Sequence, residues 1–359
     1  MPKPSPTQTK HSRPNALEMF TDRVSEQAVL ARLLAPSSAI TPQNTDFLTV
    51  FYGVGGVGKS TLCRRAMETC AETHPKVVVA LINLDTNLWN TKSPFAHLIG
   101  ELVHSLLAKG VQTRLAQALL LIYSRVDAAV PLREESSAVW QGALSVLDQA
   151  TQAIGIPGLS LVVQGAQWLK DRKQQSDTET RLKELGIWPD WQDGKVNLAD
   201  LEKKLGLALF EDLRDWARMD GHLRFLIDGF ERIQSHERHE DCQLRLQQFI
   251  GYFAADEDAV LRSRLRFFIF GREKLRWDEL YEDPSWSDYW TQHLLGGLGE
   301  ADARDYLRKH AQWLEDHGDP AAGKALINHS DRILDAADER IREFQKQTQR
   351  CERGIRQKF

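Results

Sequence analysis

The sequence predicts an α/β fold: three layers, α/β/α, around a mainly parallel five-stranded sheet, with a large helical insertion and a C-terminal helical subdomain. Three observations predict it. Five short runs rich in Val, Ile, Leu and Phe have the length of buried strands. Helical stretches separate them, as in parallel strands joined by crossovers. One strand-like run, 47–52, leads straight into Gly53-Val54-Gly55-Gly56-Val57-Gly58-Lys59-Ser60-Thr61, which fits G-x-x-x-x-G-K-[ST].

The chain has 359 residues, and 42% are apolar, enough for a sizeable core. Residues 1–15 carry four prolines with Ser, Thr and Lys and are expected to be a disordered lead. Apolar residues at helical spacing predict a helix within 16–34. The first strand, 47–52, runs into the glycine loop, and 61–73 reads as the helix after it. Residues 76–85 are the second strand. The next clear strand lies about 135 residues on, too far for a plain loop. Helical spacing covers 95–108, 114–126, 136–154, 159–173 and 198–219, with a polar break at 171–181. The insertion is placed at about 86–197, inside a domain running from 16 to 298. Residues 223–228 and 265–270 are the third and fourth strands, and 292–298 a short fifth. Residues 299–359 read as lid and C-terminal helices, broken near 318–320.

The loop is the phosphate-binding P-loop pattern, and a chain this long meets it by chance about once in a hundred. The strand, loop and helix around it are the setting the chemistry requires. Gly53, Gly55, Gly56 and Gly58 are expected to take positive φ, so that the backbone of Gly53, Val54, Gly55, Gly56, Val57 and Gly58 turns its N–H groups on phosphate oxygens. Lys59 brings a cation to the β- and γ-phosphates. Ser60 suits Mg²⁺, and with Thr61 it opens a helix whose positive dipole end meets the same charge.

Such a loop needs an acidic residue at the end of a buried strand to hold the Mg²⁺ water shell. Asp228 has four apolar residues among the five before it and Gly229 after it. Glu231 is a candidate general base or, alternatively, a salt-bridge partner. Arg272 follows the fourth strand, at the end that faces the ligand crevice of a parallel sheet, and is a candidate γ-phosphate sensor. No Asn-Lys-x-Asp guanine-reading motif appears, so ATP is preferred to GTP.

In this order the motifs resemble STAND-class P-loop NTPases, the group that includes NB-ARC and NACHT switches and is related to AAA+ ATPases. Phe20-Thr21-Asp22-Arg23-Val24-Ser25-Glu26 resembles the family's leading motif, with Asp22 where Gly is usual. Phe225-Leu226-Ile227-Asp228-Gly229-Phe230-Glu231 resembles its second acidic motif. Phe268-Ile269-Phe270-Gly271-Arg272 resembles its strand-then-Arg sensor. Leu294-Leu295-Gly296-Gly297-Leu298 looks like its step into the helical subdomain. The resemblance covers roughly 20–310. It implies a Mg²⁺-dependent, ATP/ADP-gated switch, slowly hydrolysing, often serving bacterial defence or signalling, with Arg23 near the adenine. It also implies a protein partner or self-association. Members usually carry an effector domain before the loop and a winged helix and repeats after it. Neither is found, so a fragment or one component of a split system is expected.

Two other classes compete. One is an AAA+-like ATPase acting on DNA, which Arg340, Arg342, Lys346, Arg350, Arg353, Arg356 and Lys358 would serve. The net charge of -4 speaks against it. The other is a non-catalytic scaffold holding a structural nucleotide. Trp277, Tyr281, Trp286, Tyr289 and Trp290 read as core and lid packing sooner than as a partner patch. His236, His239 and Cys242 read as a solvated loop sooner than as a metal site. Cys63 and Cys70 lie two turns apart and suit packing, and a reducing cytoplasm is expected. The stretch 153–169 is too short and interrupted to span a membrane.

Overall fold

Short runs of branched and aromatic residues can bury both faces only as interior strands, and all five expected runs do so or lie at the edge of such a sheet. In the computed structural model, residues 23–36, 46–84, 93–127, 172–186, 198–234, 240–277, 286–297, 300–317 and 319–330 are described, with 332, 339 and 343. The strands are β1 (Leu48–Tyr52), β2 (Val77–Asn83), β3 (His222–Asp228), β4 (Leu265–Gly271) and β5 (Trp290–Leu294). They form one all-parallel sheet in the order β2-β3-β4-β1-β5. The fifth strand sits earlier than the expected 292–298, because Gly296-Gly297 cannot pack a strand face.

Eleven α-helices lie among the described residues: α1 (Val24–Leu34), α2 (Lys59–Thr73), α3 (Pro94–Leu107), α4 (Arg114–Asp127), α5 (Arg172–Glu184), α6 (Leu198–Arg218), α7 (Glu231–Gln234), α8 (Glu240–Ala255), α9 (Ala259–Arg264), α10 (Glu300–Asp316) and α11 (Pro320–Asn328). Ser93 caps α3, accepting from Ala96 N–H, and Asp319 caps α11, accepting from Ala322 N–H; each is followed by Pro at the first helical position. The expected polar break at 171–181 is instead α5. Its sequence is polar almost all round, but Thr178 and Leu182 are buried, and it packs on α4. The expected helices at 136–154 and 159–173 lie in or run into residues outside the described ones, and Tyr281, His236, His239 and all seven of the basic C-terminal residues named above lie outside them.

The described residues fall into two compact units, one drawn from Met1–Leu30, Gly53–Ala66 and Leu294–Phe359, the other from Ala31–Tyr52 and Met67–His293. The second holds the sheet and the main core. Alternation puts Leu223, Phe225 and Ile227 of β3 beside Leu265, Phe267 and Ile269 of β4 in that core, with Phe95, Leu209, Phe249 and Phe253 from the helices. Phe225 and Phe267 stack at 4.5 Å, and Phe249 meets Phe225 edge-on at 6.2 Å. Trp277 and Trp286 are fully buried, their rings 4.7 Å apart, with Trp290 at 6.1 Å from Trp277. This part of the aromatic run is therefore core and not an exposed patch. Cys242 is a correction too: it is buried inside α8, where burial first and the Glu202 charge second push its thiol up to about 12.

The opposite strand faces carry a feature the apolar pattern hides. Arg224 of β3 and Arg266 of β4 are register partners, and both are buried. Arg224 donates to the carbonyls of Leu34 (3.3 Å), Ala35 (2.7 Å), Leu223 (3.0 Å) and Arg264 (2.7 Å). Arg266 donates to Leu33 O at 2.7 Å. The two guanidiniums thus satisfy the last carbonyls of α1, where the helix dipole favours cations. Burial first, then the Arg266 charge, lowers Arg224 to about 9; burial lowers Arg266, with Asp46 opposing the shift and Arg32 adding to it. Their many donors still keep them charged.

Two further buried groups oppose each other in pH. Asp212 of α6 accepts from Ala116 N–H (2.9 Å) in the first turn of α4, with Arg181 at 3.8 Å. Burial pushes its carboxyl from 3.8 up to about 7, against those partners. His97 of α3 is buried and lowered by that burial from 6.5 to about 4. Folding raises the Asp212 value, so its contribution is full below 3.8 and falls as pH rises through 7. Folding lowers the His97 value, so its contribution is full above 6.5 and falls as pH drops through 4. From about pH 4 to 6.5 the two slopes cancel, each being about 1.4 kcal/mol per pH unit. Relative to wild type, Asp212→Asn should therefore make urea-unfolding stability rise with pH in this window, and His97→Gln should make it fall. Unchanged slopes in both variants would mean that neither group titrates there.

Candidate functional site

The glycine loop follows β1, which is apolar and buried apart from the buried Thr49 and the half-buried Tyr52 at its end. Helix α2 opens at Lys59 with no acidic residue in its first turn, so its own side chains leave the N-terminal dipole uncompensated. Leu62 N–H bonds Gly58 O at 2.8 Å. Only Gly56 (φ 85°) and Gly58 (φ 88°) take the left-handed conformation. That corrects the expectation for Gly53 and Gly55. Gly53 is required for a different reason: a Cβ there would meet Leu295 O at 2.4 Å. Nothing in the sequence signals this close approach.

Lys59 is 8% exposed and folds back over its own loop, donating to Gly53 O and Val54 O, each at 2.9 Å. The ammonium therefore stands over the first turn of the loop. Ser60 is exposed and Thr61 half-buried. Among the described residues, the backbone N–H groups of Gly55, Gly56, Val57 and Gly58 meet no acceptor. A run of amides with two left-handed glycines, beside a lysine at a helix N-terminus, is an arrangement that binds polyphosphate anions.

Arg23 lies in the same unit, just before α1. It has φ 69°, uncommon for a residue with a Cβ, and only 9% of it is exposed. Its Nη2 donates to Val57 O at 2.7 Å and to Gly296 O at 2.8 Å, and Nη1 reaches Glu26 Oε1 at 3.4 Å. Burial pushes the Glu26 carboxyl up. The Ser25 hydroxyl bond, its own backbone amide and Arg23 outweigh that, and hold it below the usual carboxylate range.

The acidic candidates lie in the other unit. Asp228 is the last residue of β3, level with Asn83 of β2 and Phe270 of β4 on the carboxyl edge of the sheet. It is 9% exposed, and its Oδ1 accepts from Gly229 N–H at 3.0 Å. Gly229 has φ 78°, so the chain turns sharply and Glu231 opens α7. Glu231 does not stand alone: Arg272 Nε donates to its Oε1 at 3.1 Å. Its Oε2 is buried and meets no partner among the described residues. The Arg272 side chain is 62% exposed, so the pair contributes about 0–1 kcal/mol. The salt-bridge alternative for Glu231 is thus realised, and with the sensor candidate itself. Among the described residues no group of three His, Cys, Asp or Glu is placed to hold a metal.

Sequence reasoning named Leu295-Gly296 only as part of the step into the helical subdomain and missed that this segment touches the loop at Gly53 and, through Arg23, at Val57. Its only signal was a Leu-Gly-Gly break between strand and helix. Compared with models of known protein families and with curated proteins, the sequence matches none.

Proposed function

We propose that the chain binds ATP and ADP with Mg²⁺ and acts as a nucleotide-dependent switch of the STAND type, hydrolysing ATP slowly. The observation that carries the reading is the loop: left-handed Gly56 and Gly58, amides that meet no acceptor among the described residues, and Lys59 folded over the carbonyls of Gly53 and Val54 at the start of α2. The donor set fits a polyphosphate. In this reading the loop amides and Lys59 hold the phosphates, and Ser60 and Asp228 serve Mg²⁺ and its water shell. When bound, Mg²⁺ would neutralise charge on the phosphate oxygens. Glu231 and Arg272 are the candidates for water activation and γ-phosphate sensing. Slow hydrolysis is supported by the position directly after Asp228, which is Gly229 and carries no carboxylate, while Arg272 engages one oxygen of Glu231.

The test begins with the full chain purified, denatured and its released nucleotide identified by chromatography. Retained ADP is expected in the wild type and absent from Lys59→Ala. In titrations, Lys59→Ala and Asp228→Ala should lose MgATP affinity while circular dichroism shows both folded. If both variants bound MgATP as the wild type does, the assignment would fall.

The same Glu231–Arg272 pair favours a second reading, a scaffold whose nucleotide is structural. Retained nucleotide would then stabilise the fold by about 4 kcal/mol at a thousand times its Kd. Wild-type turnover equal to that of Lys59→Ala would select it.

A further inference from the structure

We infer that Arg23 is a positioning residue of the loop: by holding the Val57 carbonyl, it sets the Gly58 N–H toward a bound phosphate, and it does not read the base. The inference rests on the proposed phosphate-binding role of the loop and deepens it.

The geometry is that of one peptide plane. In a trans peptide the C=O and the N–H point to opposite sides. Arg23 Nη2 takes the Val57 carbonyl at 2.7 Å, so the N–H of Gly58 in the same plane is turned away from Arg23. Gly58 at φ 88° lets the next residue start α2 without undoing that orientation. Its N–H has no acceptor among the described residues. A peptide between glycine-rich neighbours flips easily, since glycine has few forbidden conformations. Something must hold it, and the Arg23 guanidinium is what the structure offers.

Four observations support this commitment of Arg23. Its side chain is buried and already spends Nη2 on two carbonyls. The second of these, Gly296 O at 2.8 Å, accepts from the same nitrogen and helps to fix the guanidinium. The neighbouring Leu295 carbonyl packs where a Gly53 Cβ would be. Leu295-Gly296 thus braces the loop near both ends, directly at Gly53 and through Arg23 at Val57. Arg23 also keeps a left-handed backbone that costs a side-chain-bearing residue about 1–2 kcal/mol. Glycine at this position would relieve that cost, so the residue is held there by what its side chain does.

The readout is the comparison of ligands. Isothermal titration would measure pyrophosphate and ADP on the wild-type chain and on Arg23→Gly, which suits φ 69° and deletes the clamp together with the 3.4 Å contact to Glu26. Loss of one well-aimed N–H to a charged oxygen weakens binding by about tenfold to a hundredfold. Pyrophosphate and ADP should weaken by the same factor, leaving their ratio unchanged. Arg23→Lys, which keeps the charge but offers no planar fork, should be intermediate and stands in if the glycine variant does not fold. ADP weakened with pyrophosphate unaffected would mean a base contact and overturn the inference. So would both ligands binding as in wild type, even with a lowered melting temperature, because that is a structural role alone. If the wild type itself takes neither pyrophosphate nor ADP, the phosphate reading of the loop falls first and this inference falls with it.

Discussion

Arg224→Met is expected to lower unfolding stability by about 3–5 kcal/mol, the cost of breaking a buried charged network from one side. The methionine would fill much of the volume but donate nothing. The carbonyls of Leu34, Ala35, Leu223 and Arg264 would lose their shared donor in a buried place. Relief of repulsion from Arg266 offsets part of the loss, since the two cations are register partners. Arg224→Lys keeps the charge but not the fork, and should recover less than half. Urea midpoints at constant slope measure both. A loss below about 1 kcal/mol would mean that the end of α1 finds other donors.

Gly53→Ala carries the second large effect. The new Cβ would lie 2.4 Å from Leu295 O, a backbone atom that no rotamer change can move. Either the loop or the 295–296 segment must shift, at about 1–3 kcal/mol. The shift should also displace the Gly53 carbonyl that Lys59 holds, so MgATP affinity should fall with stability. Gly56→Ala is the control. Nothing lies within 4 Å of its Cβ, and its cost of about 1–2 kcal/mol comes from φ 85° alone. Equal stability losses in the two variants would remove the steric argument.

The strands were legible because the code for a buried parallel strand is simple: apolar, branched and short. β3 and β4 appear within a residue of their expected bounds. The loop and Asp228 were legible for a related reason, since a fixed spacing of glycines, lysine and a strand-ending carboxylate is local in sequence. Arg224 and Arg266 were not. They sit inside apolar strands, and only the three-dimensional register shows that they share one helix end. The roles of Gly53 and Arg23 were hidden in the same way. Each depends on a carbonyl of Leu295 or Gly296, more than two hundred residues away along the chain. α5 was missed because its polar sequence lacks the apolar stripe that marks a helix, and its order comes from the neighbours it packs on.

The strand order has a consequence for how the molecule is made. β1 pairs with β4, Leu48 beside Phe267, so about 220 residues must be synthesised after β1 before its partner exists. At ordinary ribosomal rates that is about 10–45 s. During that time the apolar run before the glycine loop has no native neighbour in the sheet, because β2 and β3 lie beyond β4. β2 and β3 can pair earlier, with helices α3 to α6 made between them. A nascent chain should thus assemble from the β2 edge inward, and its oldest strand should be protected among the last.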